Sequence, residues 1–185
     1  MMSRLIYCLL LCRMGLSTAA AQQEGGTIIL GAYYEVPLNE GSAYSSYDIQ
    51  TDYSVAGVYA NIDWWSVFLE ARIGVDLTNE LVDGSMGFDT NFSFGHTIAP
   101  GRVQIPLFVT YGWNETNDNS AIDIQGRYYG GGMRLRFFLN NKLFVKGGVQ
   151  YRRFFNYRNA DKAFDFSQSQ ISTQVGIGIA IVSND

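Results

Sequence analysis

The chain has 185 residues and a formal net charge of −4; 47% of its residues are hydrophobic and 16% are charged. This length suits one domain. The sequence contains no basic stripe, so the composition argues against a nucleic-acid role.

The first predicted element is a cleaved signal peptide over residues 1–21. Arg4 precedes an apolar run, 5–12, that is too short to span a bilayer, and Ala19-Ala20-Ala21 gives a small-residue cleavage pattern. Both cysteines and two basic residues lie in this segment. The exported chain, 22–185, therefore has no thiol and a net charge of −6.

The mature chain predicts eight β-strands, because apolar residues recur at every second position over lengths that suit barrel strands. One example is Val103, Ile105, Leu107, Val109, Tyr111 and Trp113. The residues between the apolar positions are glycine, polar or charged in most of these stretches. The predicted strands lie near 26–37, 51–61, 64–77, 86–97, 102–114, 123–139, 142–156 and 168–182.

The alternation allows two kinds of barrel, because parity alone does not say which face points inward. A soluble lipocalin-like barrel places its apolar face inside, whereas a transmembrane barrel places it outside. Small groups fill the polar face of the last strand, including Gly176 and Gly178, and the chain has few charges to cover a solvated exterior. These features favour the membrane barrel. The first two strands are apolar on both faces, so their register stays open.

The connections alternate in length along the chain. Tight turns are predicted at 61–63, 99–101 and 140–141, and longer polar loops at 38–50, 78–85, 115–122 and 157–167. An even strand number with short turns on one side and long loops on the other is the layout of a bacterial outer-membrane barrel. We therefore expect an all-β, eight-stranded antiparallel up-and-down transmembrane β-barrel, with extracellular long loops and both mature termini in the periplasm.

The polar parity predicts a charged lumen. Eight strands enclose an interior that side chains fill, so a stabilising ion-pair network is the simpler interpretation, because an unpaired buried charge is costly. The residues named include more cations than carboxylates, which leaves open an anion site or a narrow anion-preferring channel. Glu70 is expected to face Lys146 across the lumen. The predicted lumen residues are Glu70, Arg72, Asp76, Asp89, Arg102, Arg134, Arg136, Lys146, Gln150 and Arg152.

Aromatic residues are expected where the strands cross the membrane surface, because amphipathic rings favour that boundary. Trp65 is assigned to the short-turn end, and Tyr111, Trp113 and Tyr151 to the loop end. Within the long loops, the aromatic residues predicted as partner contacts are Tyr44, Tyr47, Phe164 and Phe166.

Catalysis finds little support in the sequence. His96 is the only histidine, no serine stands beside it, and its predicted position is near a short turn. The acidic residues Glu115, Asp118 and Asp123 lack the spacing of a calcium loop. The sequence therefore predicts no enzyme, no cofactor and no metal site.

The mature chain resembles the small eight-stranded outer-membrane barrels of the OmpA/OmpX type, and in particular the short barrel proteins of Bacteroidota-like bacteria. The segment Arg102-Val103-Gln104-Ile105-Pro106-Leu107 is similar to a central strand of that group, which carries an internal Ile-Pro-Leu. The resemblance implies an outer-membrane location and contact with outer-membrane lipid.

Two functional hypotheses follow. The first is a structural or accessory subunit that contacts other envelope components, such as a larger secretion, assembly or transport complex. The second is a narrow anion-preferring channel or a small-ligand site in the charged lumen. A soluble ligand carrier is a third and less favoured class.

Overall fold

The structure is a computed structural model, and it describes eight ranges of the chain. Within these parts, no helix is long and apolar enough to cross a membrane. The predicted signal peptide lies outside the described residues and stays a prediction. The described ranges are 26–38, 54–64, 66–77, 86–98, 102–117, 123–159, 162–164 and 168–182.

The described residues form eight long strands and one short strand. The short strand, β8, has three residues and pairs with the end of β7. The bounds are β1 Thr27–Pro37, β2 Val55–Trp64, β3 Val67–Asp76, β4 Met86–Ile98, β5 Val103–Asn117, β6 Asp123–Phe138, β7 Leu143–Asn159, β8 Lys162–Phe164 and β9 Gln168–Val182.

The eight long strands form a closed antiparallel sheet. Consecutive strands pair from β1 to β7, β9 pairs with β7, and β1 pairs with β9 to close the barrel. When the paired residues are followed from Ile179 of β9 through all eight long strands, the path returns to β9 at Ser169, ten positions away. A stagger of this kind accompanies strands tilted by about 35–45° from the barrel axis.

The barrel is inside-out relative to a soluble protein. Val109 and Ile177 point outward and are 62% and 48% exposed, whereas Arg134 and Lys146 point into the lumen and are 1% and 4% exposed. A continuous apolar wall outside and a charged interior are the pattern of a membrane barrel. The eight-stranded transmembrane barrel predicted from the sequence is confirmed, and the lipocalin-like alternative is wrong.

The structure also fixes the register of the first two strands. In β1, Ile28 and Leu30 face outward, and Ile29 and Tyr33 face the lumen. Both faces are apolar because the lumen contains a small hydrophobic cluster beside β1. This cluster consists of Ile29, Tyr33, Val55, Tyr59, Phe144 and Ala180, with Phe138 packed against it.

Several predicted boundaries were wrong. The second strand is 55–64 rather than 51–61, so its end extends through the turn predicted at 61–63. At the long-loop end, β5 and β7 run three residues farther than predicted, to Asn117 and Asn159. The last loop contains strand β8. Alternation of apolar residues weakens beyond the membrane, so it does not mark where the backbone pairing stops.

Pro106 interrupts one ladder of the barrel. It faces the lumen from β5, where it is paired with Thr97 of β4. The β5–β6 register passes from Gln104 to Leu107 without partners for the two residues between them. Proline has no N–H to donate to a ladder, which accounts for the gap on this side.

Glycines on the lumen face make room for aromatic rings. A Cβ built on Gly112 would lie 2.5 Å from Cζ of Tyr128 and 2.6 Å from Cβ of Asn91. Gly147 is different, because its added Cβ would meet only the carbonyl oxygen of Gln174, at 3.7 Å. The two glycines therefore separate a packing requirement from a general effect of glycine on strand stability.

We predict that Gly112→Ala lowers the free energy of unfolding by about 1–3 kcal/mol, because the new methyl overpacks the lumen. Gly147→Ala, the matched control, should leave stability unchanged or slightly raised. Urea unfolding of the barrel in lipid vesicles, followed by tryptophan fluorescence, measures both. Equal effects of the two substitutions would contradict this account of lumen packing.

Candidate functional site

The candidate site is the charged interior of the barrel. At its centre, buried Glu70 of β3 contacts three cations. Its Oε1 lies 2.9 Å from Nε of Arg72 and 2.7 Å from Nη1 of Arg134, and its Oε2 lies 3.6 Å from Nζ of Lys146. These contacts join β3 to β6 and β7 across the lumen. The position of Glu70 opposite Lys146 matches the geometry expected from strand parity.

Arg72 also connects this cluster to a second carboxylate, Glu35 of β1. Nη1 of Arg72 donates a hydrogen bond to Oε2 of Glu35 at 3.4 Å, and its other terminal nitrogen donates to the side chain of Gln174. Ser172 donates a hydrogen bond to Oε1 of Glu35 at 2.5 Å. Glu35 is therefore held by partners on β3 and β9.

Arg152 of β7 extends the network toward the long-loop end. Its Nη2 lies 2.5 Å from Oε1 of Glu35, and its Nη1 lies 3.5 Å from Oδ2 of Asp89 on β4. Tyr128 donates to Asp89 at 2.9 Å, and Asn91 donates to the same carboxylate at 3.0 Å. We call this set the lumen ion-pair network: Glu35, Glu70, Arg72, Asp89, Arg134, Lys146 and Arg152.

A separate ion pair lies toward the short-turn end. Nη1 of Arg136 donates a hydrogen bond to Oδ2 of Asp63 at 2.6 Å. Asp63 is partly buried, near the end of β2, whereas Arg136 is fully buried on β6. This pair joins two strands that are not neighbours in the sheet.

Every cation of the described lumen also lies over an aromatic ring, an arrangement that offsets part of the cost of removing the charge from water. Nζ of Lys146 lies 3.1 Å from the ring centre of Tyr59. The guanidinium carbon of Arg134 lies 3.8 Å from the ring centre of Phe108. The remaining stacked pairs are Arg72 on Tyr33, Arg136 on Phe68 and Phe144, and Arg152 on Tyr128.

The described lumen contains equal numbers of cations and carboxylates, whereas the residues named from the sequence included more cations than carboxylates. Arg102, predicted to face inward, precedes β5 and is exposed. Glu35 and Asp63 face the lumen and were not among the predicted residues. The cations are Arg72, Arg134, Arg136, Lys146 and Arg152, and the carboxylates are Glu35, Asp63, Glu70, Asp76 and Asp89.

The sequence did not assign Glu35 and Asp63 to the lumen, for two different reasons. Glu35 lies on a strand with two apolar faces, so parity did not assign it to the lumen. Asp63 was placed in a turn because Asn61-Ile62-Asp63 is rich in turn formers. The surplus of cations among the inward positions was the one signal that more carboxylates had to be nearby.

The other predicted lumen residues are buried in the barrel. Asp76 lies buried at the long-loop end of β3. Gln150 lies on β7 opposite Ser172 of β9.

The outer wall carries most of the predicted interface aromatics. Tyr111, Trp113 and Tyr151 are exposed on β5 and β7 toward the long-loop end. Phe155 packs beside Tyr111, with 6.4 Å between the ring centres. Trp65, Tyr44, Tyr47 and Phe166 lie outside the described residues, and Phe164 lies in β8.

His96 lies on the outer face of β4, not in the lumen. Its register partners are Val67 of β3 and Leu107 of β5, both exposed and apolar. In the described part of the chain, no group of three or more histidine, cysteine or carboxylate side chains is placed to hold a metal ion.

Comparison with known proteins identifies the fold through solved structures. No protein-family model matches the chain, and no curated protein sequence matches it. The chain is similar to Neisserial surface protein A, with a TM-score of 0.58 and 10% identity over 86% of this chain and 98% of that one.

Two structures from Pseudomonas aeruginosa are also similar. The outer-membrane protein OprG gives a TM-score of 0.53 and 9% identity over 89% of this chain and 99% of that one. The N-terminal β-barrel domain of OprF gives a TM-score of 0.50 and 14% identity over 86% of this chain and 100% of that one. At these identities the likeness concerns the fold. The chain has the closed eight-stranded architecture of small bacterial outer-membrane barrels, consistent with the OmpA/OmpX type.

We predict that Glu70→Gln lowers the free energy of unfolding by about 3–5 kcal/mol, because it leaves three buried cations without their shared carboxylate. Glu115→Gln is the control: this carboxylate is exposed on the outer wall, and its loss should cost about 1 kcal/mol or less. Urea unfolding in vesicles measures both. A cost for Glu70→Gln no larger than that of the control would contradict the central role of Glu70.

The double variant Glu70→Gln/Lys146→Met tests the same pairing from the other side. Removing one cation along with the carboxylate should restore part of the lost stability. The loss of stability in the double variant should therefore be smaller than the sum of the losses in Glu70→Gln and Lys146→Met alone. Strict additivity would show that Lys146 does not depend on Glu70.

Proposed function

We propose that the protein is a closed, non-enzymatic outer-membrane barrel that serves as a structural or accessory subunit. Its long-loop end faces the cell exterior and contacts other envelope components. The observation that carries this proposal is the described lumen, where the lumen ion-pair network links opposite strands and five buried cations are matched by five carboxylates. A filled and neutral interior favours an anchor over a conduit.

The contacts across the lumen support a closed barrel. Glu70, Arg134 and Lys146 meet from three different strands, and Arg152 connects Glu35 to Asp89. An eight-stranded interior is just wide enough for side chains to fill. An ion would have to break several buried pairs to pass, and each break leaves a charge uncompensated in a narrow space.

The channel hypothesis loses its main support. It was based on a larger number of cations than carboxylates among the predicted lumen residues. Glu35 and Asp63 add two carboxylates to the described lumen, and Arg102 lies outside it, so that the two numbers are equal. Glu70 already takes three cations as partners, so an additional anion would have to compete with a fixed carboxylate for the same groups.

A non-enzymatic role is supported by the surroundings of the one histidine. His96 lies between apolar neighbours on the outer face, with no carboxylate or serine in register beside it. A histidine that acts as a base needs a nucleophile and an orienting group in reach.

The proposal predicts that the purified barrel, inserted into planar bilayers, gives no discrete conductance steps at neutral pH. Folding is verified separately by the resistance of the barrel to unfolding in SDS before heating. The double variant Arg134→Ala/Arg152→Ala is compared with the unmodified barrel, because it removes two guanidinium groups and so partly empties the lumen. Anion-selective steps from the unmodified barrel that disappear in Arg134→Ala would reject the closed barrel in favour of the conduit.

Partner contact at the long-loop end predicts where cross-links should form in cells. A photoreactive amino acid at Tyr44, Tyr47 or Phe166 should give discrete protein adducts under illumination. The control is Val175, which faces outward from β9 within the apolar wall and should give none. Adducts at Val175 with none in the loops would place the contact on the membrane-embedded wall instead.

A further inference from the structure

The outer wall carries charge at one place only among the residues whose side chains the structure describes. The outward positions of the strands are otherwise apolar, aromatic or small, apart from His96 and a few hydroxyl groups. The exceptions are Glu115 on β5, Arg127 on β6 and Arg153 on β7, which are all exposed and all near the long-loop end. They lie on three consecutive neighbouring strands.

The register brings the two arginines together. Arg127 is paired with Phe155, and Arg153 is paired with Tyr129, two positions along each strand. Arg127 and Arg153 are therefore diagonal neighbours on one face of the sheet, with Cβ atoms about 7 Å apart. A single phosphate group can bridge two guanidinium groups at that spacing.

Aromatic rings surround this pair on the same face. Trp113 is paired with Arg127, and Tyr111 with Tyr129. The ring centre of Phe155 lies 5.6 Å from that of Tyr129 and 6.4 Å from that of Tyr111. Aromatic belts of this kind mark the boundary between hydrocarbon and lipid head groups. The arginines are thus placed at the depth of head groups.

A β-bulge begins directly beside Arg127. Beyond the Arg127–Phe155 pair, two residues of β7, at 156 and 157, stand opposite Gly126 alone. Bulges bend and twist a strand locally and re-aim the side chains beside them. The end of the regular ladder therefore coincides with the position of the basic pair.

We propose that Arg127 and Arg153 bind the phosphate of a lipid head group, with Tyr129 and Phe155 packed along the adjoining lipid. Arginine suits this role because its planar fork donates two parallel hydrogen bonds to a phosphate. Glu115 lies one row farther toward the loop end, on the side of Arg127 away from Arg153, so it does not separate the pair. Two adjacent outward arginines in a chain of formal net charge −4 oppose the overall charge, which matches an anionic ligand.

The source of the phosphate is the membrane rather than the solvent, because the pair lies on the lipid-facing wall among apolar and aromatic groups. With the long-loop end outward, as the proposed function has it, the leaflet in question contains phosphorylated glycolipid. The binding measurement below uses detergent micelles, so it does not depend on orientation. Its failure would leave the closed barrel and its loop contacts unaffected.

The test titrates the folded full-length mature barrel with lipid A carrying two phosphates and measures the bound fraction by native mass spectrometry. Arg127→Gln/Arg153→Gln should bind at least tenfold more weakly. The matched control is Arg102→Gln/Lys142→Gln, which removes the same charge from exposed positions at the short-turn end and should bind within twofold of the unmodified barrel. Heat-modifiable migration in SDS verifies that each variant is folded.

Two further ligands show whether the bound phosphate belongs to a lipid or comes from solution. Lipid A stripped of its phosphates should bind the unmodified barrel at least tenfold more weakly, and millimolar inorganic phosphate should not displace the intact lipid. Equal binding by the two double variants, or equal binding of stripped and intact lipid, would overturn the proposal. Displacement by inorganic phosphate would overturn the assignment to lipid.

Discussion

Hydrocarbon offers no hydrogen-bond partner to a backbone amide, and this constraint determines the rest of the structure. A sheet that crosses a membrane must close on itself, because an open edge would leave unpaired N–H and C=O groups in lipid. In this chain the closure is made by the pairing of β1 with β9. Once the sheet is closed, strand alternation sends the polar side chains into a lumen too narrow to solvate them fully. They therefore have to satisfy one another.

The lumen ion-pair network is the consequence of that requirement. Glu70 is shared by three cations, and the same cations stack on aromatic rings such as Phe108 and Tyr59. Each ring provides a polarisable surface beside a cation that has been removed from water. Glycines opposite the rings, for example Gly112 against Tyr128, keep the rings from being displaced. The ion pairs, the aromatic rings and the glycines of the lumen therefore depend on one another for their packing.

The sequence was sufficient for the architecture because membrane alternation is a long-range pattern that a few irregular residues do not erase. Strand number, barrel closure and the inward set, apart from Arg102, all follow from it. The first strand was different: Ile28 and Ile29 are equally apolar, and only the cluster inside the lumen explains why one of them faces inward. Parity also failed at strand ends, where Arg102 lies just before the first residue of β5. Contacts between distant strands, such as Asp63 with Arg136, depend on barrel stagger, which no local pattern encodes.

The ion pairs also connect strands that are not neighbours in the sheet. Glu35, Arg152 and Asp89 belong to β1, β7 and β4, and Glu70 reaches β6 and β7 from β3. A flat or half-rolled sheet cannot make these contacts, so the polar side chains stay uncompensated until the last seam forms. Assembly intermediates must therefore keep their inner face hydrated, and water has to leave at the moment of closure. That arrangement makes barrel closure cooperative and opposes any later unzipping of the seam between β1 and β9.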